Sequence, residues 1–343
     1  MPVAVYPWQR EQWDSMLQRK RTLPHALLFR GREGTGKLDF VRKLAQSLMC
    51  ETPAASGAAC GACRSCRWFA AAAHPDYREL QPEALLPPEA REASASERKP
   101  SQQISVEEIR DLRDFINLTA HQTGGKTIVI YPAETLNVNA ANALLKSLEE
   151  PPPNTRFMLV AHRPSYLPAT IVSRCQQFAL PTPSAQIAEQ WLREQGVTEP
   201  ALSLAQTGHA PIAALALDDG EYWAQRRSLL GGIAAGGVDP LALAEQLREL
   251  PIPRLLGWMQ RWTYDLLSAK SVGRVRYNPD FEKPLLQIAA KLSVIDLARY
   301  HRTLVRQQRS VHHPLNARLY IEQLLISYTA LLRGVDLTAS YAR

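Results

Sequence analysis

The chain has 343 residues, a formal net charge of +7, 45% hydrophobic and 21% charged residues, and five cysteines. That length allows two or three domains with sizeable cores, and the composition is that of an ordinary globular protein. No apolar run reaches the roughly 18 residues of a membrane span, and the first ten residues lack the apolar core of a secretory leader. The expectation is therefore a cytoplasmic chain, with no membrane partner, whose thiols stay reduced and serve a metal or redox chemistry. The basic surplus suits nucleic acid as readily as a plain solvated surface, since no dense Lys/Arg run accompanies it.

Residues 11–18 read as a helix and 25–30 as a buried strand. The strand leads into Gly31-x-x-x-x-Gly36-Lys37, and a helix follows over 38–50 with Phe40, Leu44, Leu48 and Met49 near helical spacing. Strand, glycine loop and helix in that order make a phosphate-binding loop, in which backbone N–H groups surround phosphate oxygens and the lysine neutralises charge. Gly31, Gly36 and Lys37 are its candidate binding residues. The next position should carry the hydroxyl that holds Mg²⁺, and here it is Leu38.

Cys50 is followed by Cys60-x-x-Cys63-x-x-Cys66. Four thiols at this spacing suit a structural tetrahedral Zn²⁺ site, with glycines at 57 and 61 letting the chain turn sharply. An iron–sulfur cluster also uses four thiolates, and a set of reduced, unpaired cysteines is the plain alternative. Cys175 is too far along the chain to be included.

Residues 81–100, rich in Pro, Glu, Ala, Ser and Arg, read as a mobile surface loop. Ser105-x-x-Glu108 is a capping box opening a helix with Ile109, Leu112 and Ile116 on one stripe. Residues 126–131 form a buried strand, 139–150 a helix stopped by three prolines, 156–161 a strand, and 175–180 another. An NTPase needs carboxylates just after the strand at 126–131. Tyr131 and Pro132 stand there instead, and Glu134, two positions later, reads as the start of a solvated turn. On residue type alone Arg174, in Ser173-Arg174-Cys175, reads as a surface ion-pair partner. After residue 183 only helical periodicity continues, so the chain reads as an α/β domain followed by helices, with boundaries near 181 and 219.

Several motifs in order then carry a resemblance: the loop at 31–37, the four cysteines, His74-Pro75-Asp76-Tyr77, Asn139-Ala-Ala-Asn142 through Lys146 to Pro152, and Ser173-Arg174-Cys175. Together they resemble the δ′ subunits of bacterial DNA polymerase III clamp loaders, which are AAA+ proteins, over essentially the whole chain. The stretch 142–151 is shared with the ATP-hydrolysing γ/τ subunits. Leu38, Tyr131-Pro132 and Pro211, where a lid arginine is expected, favour the degenerate δ′ type. The resemblance implies a RecA-like α/β domain over 1–181, with the zinc module at about 50–67, a small helical lid over 182–219 and an all-helical collar over 220–343. It implies weak or absent ATP binding and a pentameric ring with γ/τ and δ subunits. The ring would load the sliding β clamp onto primed DNA within the polymerase holoenzyme, with no hydrolysis by this chain itself. It further implies that Arg174 is an arginine finger, acting in trans on ATP held by a γ/τ neighbour. The rivals are an active AAA+ ATPase of γ/τ type and a zinc-dependent nucleic-acid-binding protein with a vestigial phosphate loop.

Overall fold

The computed structural model describes residues 5–87, 100–118, 125–217, 219–235, 239–308 and 316–335. Five short strands, β1 (Ala26–Arg30), β2 (Tyr77–Leu80), β3 (Lys126–Ile130), β4 (Thr155–Ala161) and β5 (Gln176–Ala179), form one sheet in the order β2-β3-β4-β1-β5. Every pairing is parallel, with Leu28 opposite Leu159 and Ile128 opposite Phe157. A parallel sheet needs a crossover between strands, and its central strands are covered on both faces. The apolar runs of β1, β3 and β4 meet that demand.

Successive side chains leave a strand on opposite faces, and the two cores divide accordingly. Ala26, Leu28, Ile128, Ile130, Phe157 and Leu159 point to one face, where α4 (Val106–Asn117) and α5 (Val138–Glu149) cover them with Ile109, Leu112, Leu144 and Leu148. Leu27, Phe29, Val129, Met158 and Val160 point to the other. There α1 (Arg10–Gln18) and α2 (Lys37–Met49) supply Trp13, Leu17, Phe40 and Leu44. Two short helices complete this part: α3 (Arg64–Ala70) and α6 (Ala169–Val172). Of the loop expected at 81–100, residues 88–99 lie outside the described residues; Glu83–Leu85 makes a single 3₁₀ turn.

The chain divides into two compact units, Met1–Ile187 and Ala188–Arg343. The second is helical: α7 (Ala185–Glu194, which opens in the first unit), α8 (Pro200–Thr207), α9 (Pro211–Leu215), α10 (Gly220–Ala234), α11 (Pro240–Gln246), α12 (Ile252–Val272), α13 (Glu282–Lys291), α14 (Val294–Gln307) and α15 (Ala317–Leu332). Its main core gathers Trp258, Met259 and Trp262 of α12 with Leu229, Leu285, Leu297 and Leu324. Ala188, Leu192, Val197, Leu204 and Ala214 form a smaller cluster of their own among α7 to α9.

Candidate functional site

β1 delivers the chain to Gly31, where an added Cβ would lie 2.7 Å from the Leu180 carbonyl oxygen, so that close approach requires glycine. The loop ends at Gly36, the N-cap of α2, with φ +79°. A side chain there would be strained by the left-handed backbone and would collide with the Tyr6 ring. The segment before α1 grips this loop from outside. Trp8 Nε1 and Gln9 Nε2 donate to the Thr35 carbonyl at 3.0 Å each, and Gln9 also reaches the Gly36 carbonyl at 3.1 Å. Tyr6 stacks on Trp8 and donates its hydroxyl to Asp39 Oδ2 at 2.8 Å. Burial, then that bond to Asp39, raises the Tyr6 phenol.

Lys37 is almost wholly buried and turns back on its own loop, with Nζ donating to the Arg32 carbonyl at 2.6 Å. Burial lowers its ammonium from 10.5 to about 8, against the opposing pull of Glu134 and Glu33. Leu38, in the place of the magnesium-binding hydroxyl, packs on the Trp13 and Phe40 core. At the end of β3, Tyr131 lies edge-on to His162 with Oη and Nε2 3.3 Å apart. Burial and then Lys37 lower the His162 pKa. Glu134 corrects the sequence expectation. It does not open a solvated turn, because its carboxylate accepts the backbone N–H groups of His162 and Arg163 at 3.1 Å where the chain leaves β4.

The cysteines gather at the other end of α2, about 20 Å from the loop for a helix of 13 residues. Cys50 is the C-cap of α2, Cys63 is the N-cap of α3, and Cys66 lies within α3. Cys60 sits on the intervening turn between Gly57 and Gly61, both at positive φ. All four sulfurs lie within 4.8 Å of one another, with Cys50–Cys63 at 3.8 Å and Cys60–Cys66 at 4.0 Å. Four sulfurs at about 2.3 Å from one tetrahedral ion would stand about 3.8 Å apart, so this set fits a single metal ion. A multi-iron cluster seats its sulfurs on separate irons and spreads them farther. Backbone N–H groups of Cys60, Ala62, Cys63 and Cys66 donate to the sulfurs at 3.3–3.4 Å. Such bonds favour thiolate. The Thr52 hydroxyl and the Ala62 and Cys63 amides lower the Cys60 thiol to about 6. Cys175 takes no part and is buried in the core beside α4 and α5.

Arg174 follows α6 and is half-buried, with its side chain 34% exposed. Nε donates to Glu149 Oε1 at 2.6 Å, a second guanidinium nitrogen pairs with the same carboxylate, and a third donates to the Thr170 carbonyl at 2.9 Å. Pro211 opens α9, at the position where the resemblance implies a lid arginine. The structure brings Gly31, Gly36 and Lys37 into one loop and the four cysteines into one cluster. The reading of the sequence missed Tyr6, Gln9, Asp39 and His162, whose contacts span 26 to 33 residues and leave no local signal. Among the described residues, no helix is long and apolar enough to cross a membrane.

A parallel sheet whose first strand runs through a Gly-x-x-x-x-Gly-Lys loop into a helix defines an α/β protein of the phosphate-loop class. Residues 8–184 match the family described as DNA polymerase III, delta subunit, and residues 220–329 match its C-terminal counterpart. The DNA polymerase III subunit delta′ of Pseudomonas aeruginosa is 35% identical, covering 95% of this chain and 98% of its own. That of Escherichia coli is 31% identical, with 94% of each covered. The subunit tau of Escherichia coli is 28% identical over 88% of this chain and 49% of its own length. A gamma subunit-related DNA polymerase III protein of Thermotoga maritima superposes with a TM-score of 0.45 at 16% identity, covering 94% of this chain and 100% of that one. The chain belongs to the family of DNA polymerase III δ′ subunits.

Proposed function

We propose that this chain is the non-hydrolysing δ′ member of a replicative clamp loader. In this role it joins γ/τ and δ subunits in a pentameric cytoplasmic ring and helps place the β clamp on primed DNA. The observation that carries the reading is the state of the phosphate loop in a chain so similar to δ′ subunits. Leu38 cannot hold Mg²⁺, Tyr131 and Pro132 stand where carboxylates are needed, Lys37 is turned onto Arg32, and the Tyr6 ring lies against Gly36. Nucleotide binding by Gly31, Gly36 and Lys37 is then weak or absent. The cysteine geometry supports one structural Zn²⁺ held by Cys50, Cys60, Cys63 and Cys66, which as a closed four-thiolate site would hold the fold and leave no open position for chemistry.

The division into an α/β domain over 1–181, a lid over 182–219 and a collar over 220–343 belongs to this reading. In α15, Tyr320, Ile321, Leu324, Leu325 and Tyr328 fill the helical core, whereas Leu319 and Ile326, a heptad apart, are exposed and suit a neighbouring subunit. Leu315 lies outside the described residues. Arg174 is proposed to act in trans on a neighbour's ATP, exchanging Glu149 for phosphate. A planar, permanently charged fork suits both partners.

Two measurements test this. The isolated chain should show no steady ATP turnover; turnover abolished by Lys37→Ala would establish the active ATPase instead. In the reconstituted ring, Arg174→Ala should leave assembly intact and lower DNA- and clamp-stimulated ATP hydrolysis, and Arg174→Lys should recover little. Arginine fingers are worth about 10³–10⁵ in rate at a single site, and a ring with other working sites should show a smaller loss. Unchanged hydrolysis in the Ala variant would reduce Arg174 to the partner of Glu149.

A further inference from the structure

His74-Pro75-Asp76-Tyr77 is the motif that the proposed function leaves unused. Its first residue is buried, 3% exposed, and stands between the sheet and the cysteine cluster. A continuous line of hydrogen bonds runs through it. The Thr127 N–H, at the start of β3, donates to the Asp76 carbonyl at 3.0 Å. The Asp76 N–H donates to His74 Nδ1 at 3.1 Å. The Ser65 hydroxyl donates to the Met49 carbonyl at 2.8 Å, so its oxygen accepts from His74 Nε2–H at 2.9 Å. That assignment uses both ring nitrogens and fixes the tautomer.

The far end of this line meets the segments that carry the thiols. Met49 precedes Cys50, and Ser65 stands between Cys63 and Cys66. One serine hydroxyl, itself 1% exposed, therefore joins the end of α2 that carries Cys50 to the helix α3 that carries Cys63 and Cys66. Helix α3 has seven residues, well short of the roughly 12–15 that hold alone in water, so docking must supply its stability. Trp68 lies edge-on to His74 and Phe69 packs on Tyr77, which seat the same helix on β2. Cys60 stands outside this line, on the turn between Gly57 and Gly61, where the Ala59 N–H donates to Ser47 Oγ of α2 at 3.1 Å and the Thr52 hydroxyl donates to Cys60 Sγ at 3.3 Å.

We propose that Ser65 and His74 are positioning residues of the metal centre: they hold Cys50, Cys63 and Cys66 in ligating geometry whether or not a metal is bound. The inference rests on the reading of the four cysteines as a metal site. Partners behind the ligands typically change metal affinity by about 10–100-fold.

The test uses the full chain loaded with Zn²⁺, releasing the ion to an excess of chromogenic chelator, together with hydrogen exchange before and after the metal is stripped. Ser65→Ala and His74→Ala should each speed release by roughly tenfold or more. His74→Gln, which keeps an N–H within reach of Ser65 but loses the Nδ1 acceptor, should fall between. In the stripped parent chain Arg64–Ala70 should stay protected; in stripped His74→Ala it should exchange. Unchanged exchange in α4 and α5 reports that the domain remains folded. Unchanged release in both Ala variants, or protection of α3 that persists in stripped His74→Ala, would overturn the positioning role. A parent chain that takes up no Zn²⁺ would overturn the metal site itself, a result read separately from the exchange pattern.

Discussion

Lys37 is turned back onto its own loop, with Nζ on the Arg32 carbonyl. Its ammonium is buried, and that burial lowers its pKa to about 8. The unfolded chain holds the same proton up to about 10.5. Between these values the unfolded state binds more protons, so stability rises with pH through that window. Below about pH 8 both states are charged and the full cost of burying the ammonium is present. Lys37→Met should therefore gain most over the parent chain below pH 8, with the difference shrinking toward pH 10.5. Urea unfolding midpoints of the two chains at pH 7, 8.5 and 10 check this, and a pH-independent difference would show that Lys37 is charged throughout. Glu134 makes a similar point. Its position two residues late looked like solvent exposure, but its carboxylate is held by two backbone N–H groups from the next strand's exit. Pairing of that kind is a tertiary event and has no sequence period.

At the scale of elements, what could be read and what could not follow from where stability comes from. Strands β1, β3 and β4 are buried on both faces and so appear as apolar runs. Strand β2, Tyr-Arg-Glu-Leu, lies at the sheet edge, and the charged pair Arg78-Glu79 at its middle does not look like a strand. It is held by Glu79, whose carboxylate takes Arg42 Nε of α2 at 2.9 Å and the Tyr77 hydroxyl at 2.8 Å. Helix α3 was equally invisible, because seven residues form a helix only once docked. The cysteine cluster was legible from spacing alone, since Cys-x-x-Cys turns bring neighbouring thiols together. Helix α4 was legible from its cap. Ser105 Oγ accepts the Glu108 N–H at 3.3 Å and Glu108 accepts the Ser105 N–H at 2.7 Å. Ser105→Ala removes one half of this exchange and should cost about 1 kcal/mol. Thermal or urea unfolding of the α/β unit measures it, and a loss near zero would mean that water replaces the hydroxyl.

The second unit is knit by a buried polar network rather than by apolar contact alone, and this bears on where the chain divides. Arg226 of α10 is fully buried and makes two bonds to Asp280, at 2.6 and 2.8 Å, and one to Asn278 Oδ1 at 2.8 Å. Asn278 donates through its backbone and side chain to Asp265 of α12, at 2.8 Å each. Gln206 of α8 reaches the same Asn278 at 3.1 Å, and also the Tyr277 carbonyl. A cut at residue 219, the proposed edge between lid and collar, would strip Gln206 of both acceptors, whereas the compact units part at 187. Residues on the two sides of the proposed boundary at 219 are therefore joined by hydrogen bonds. Removing Arg226 tests how much depends on it. Arg226→Ala leaves Asp280 and Asn278 without their buried donor, and breaking such a pair costs roughly 3–5 kcal/mol. The low end is expected, because the Asp280 side chain keeps 30% exposure and gains water. Arg226→Met combined with Asp280→Leu should recover much of the loss, since apolar replacement of both partners is often close to neutral. Hydrogen exchange across α10 and α12 reads the effect without interference from the α/β unit. Equal destabilisation in the single and double variants would show that the network holds a required geometry, and that shape rather than unpaired charge sets its cost.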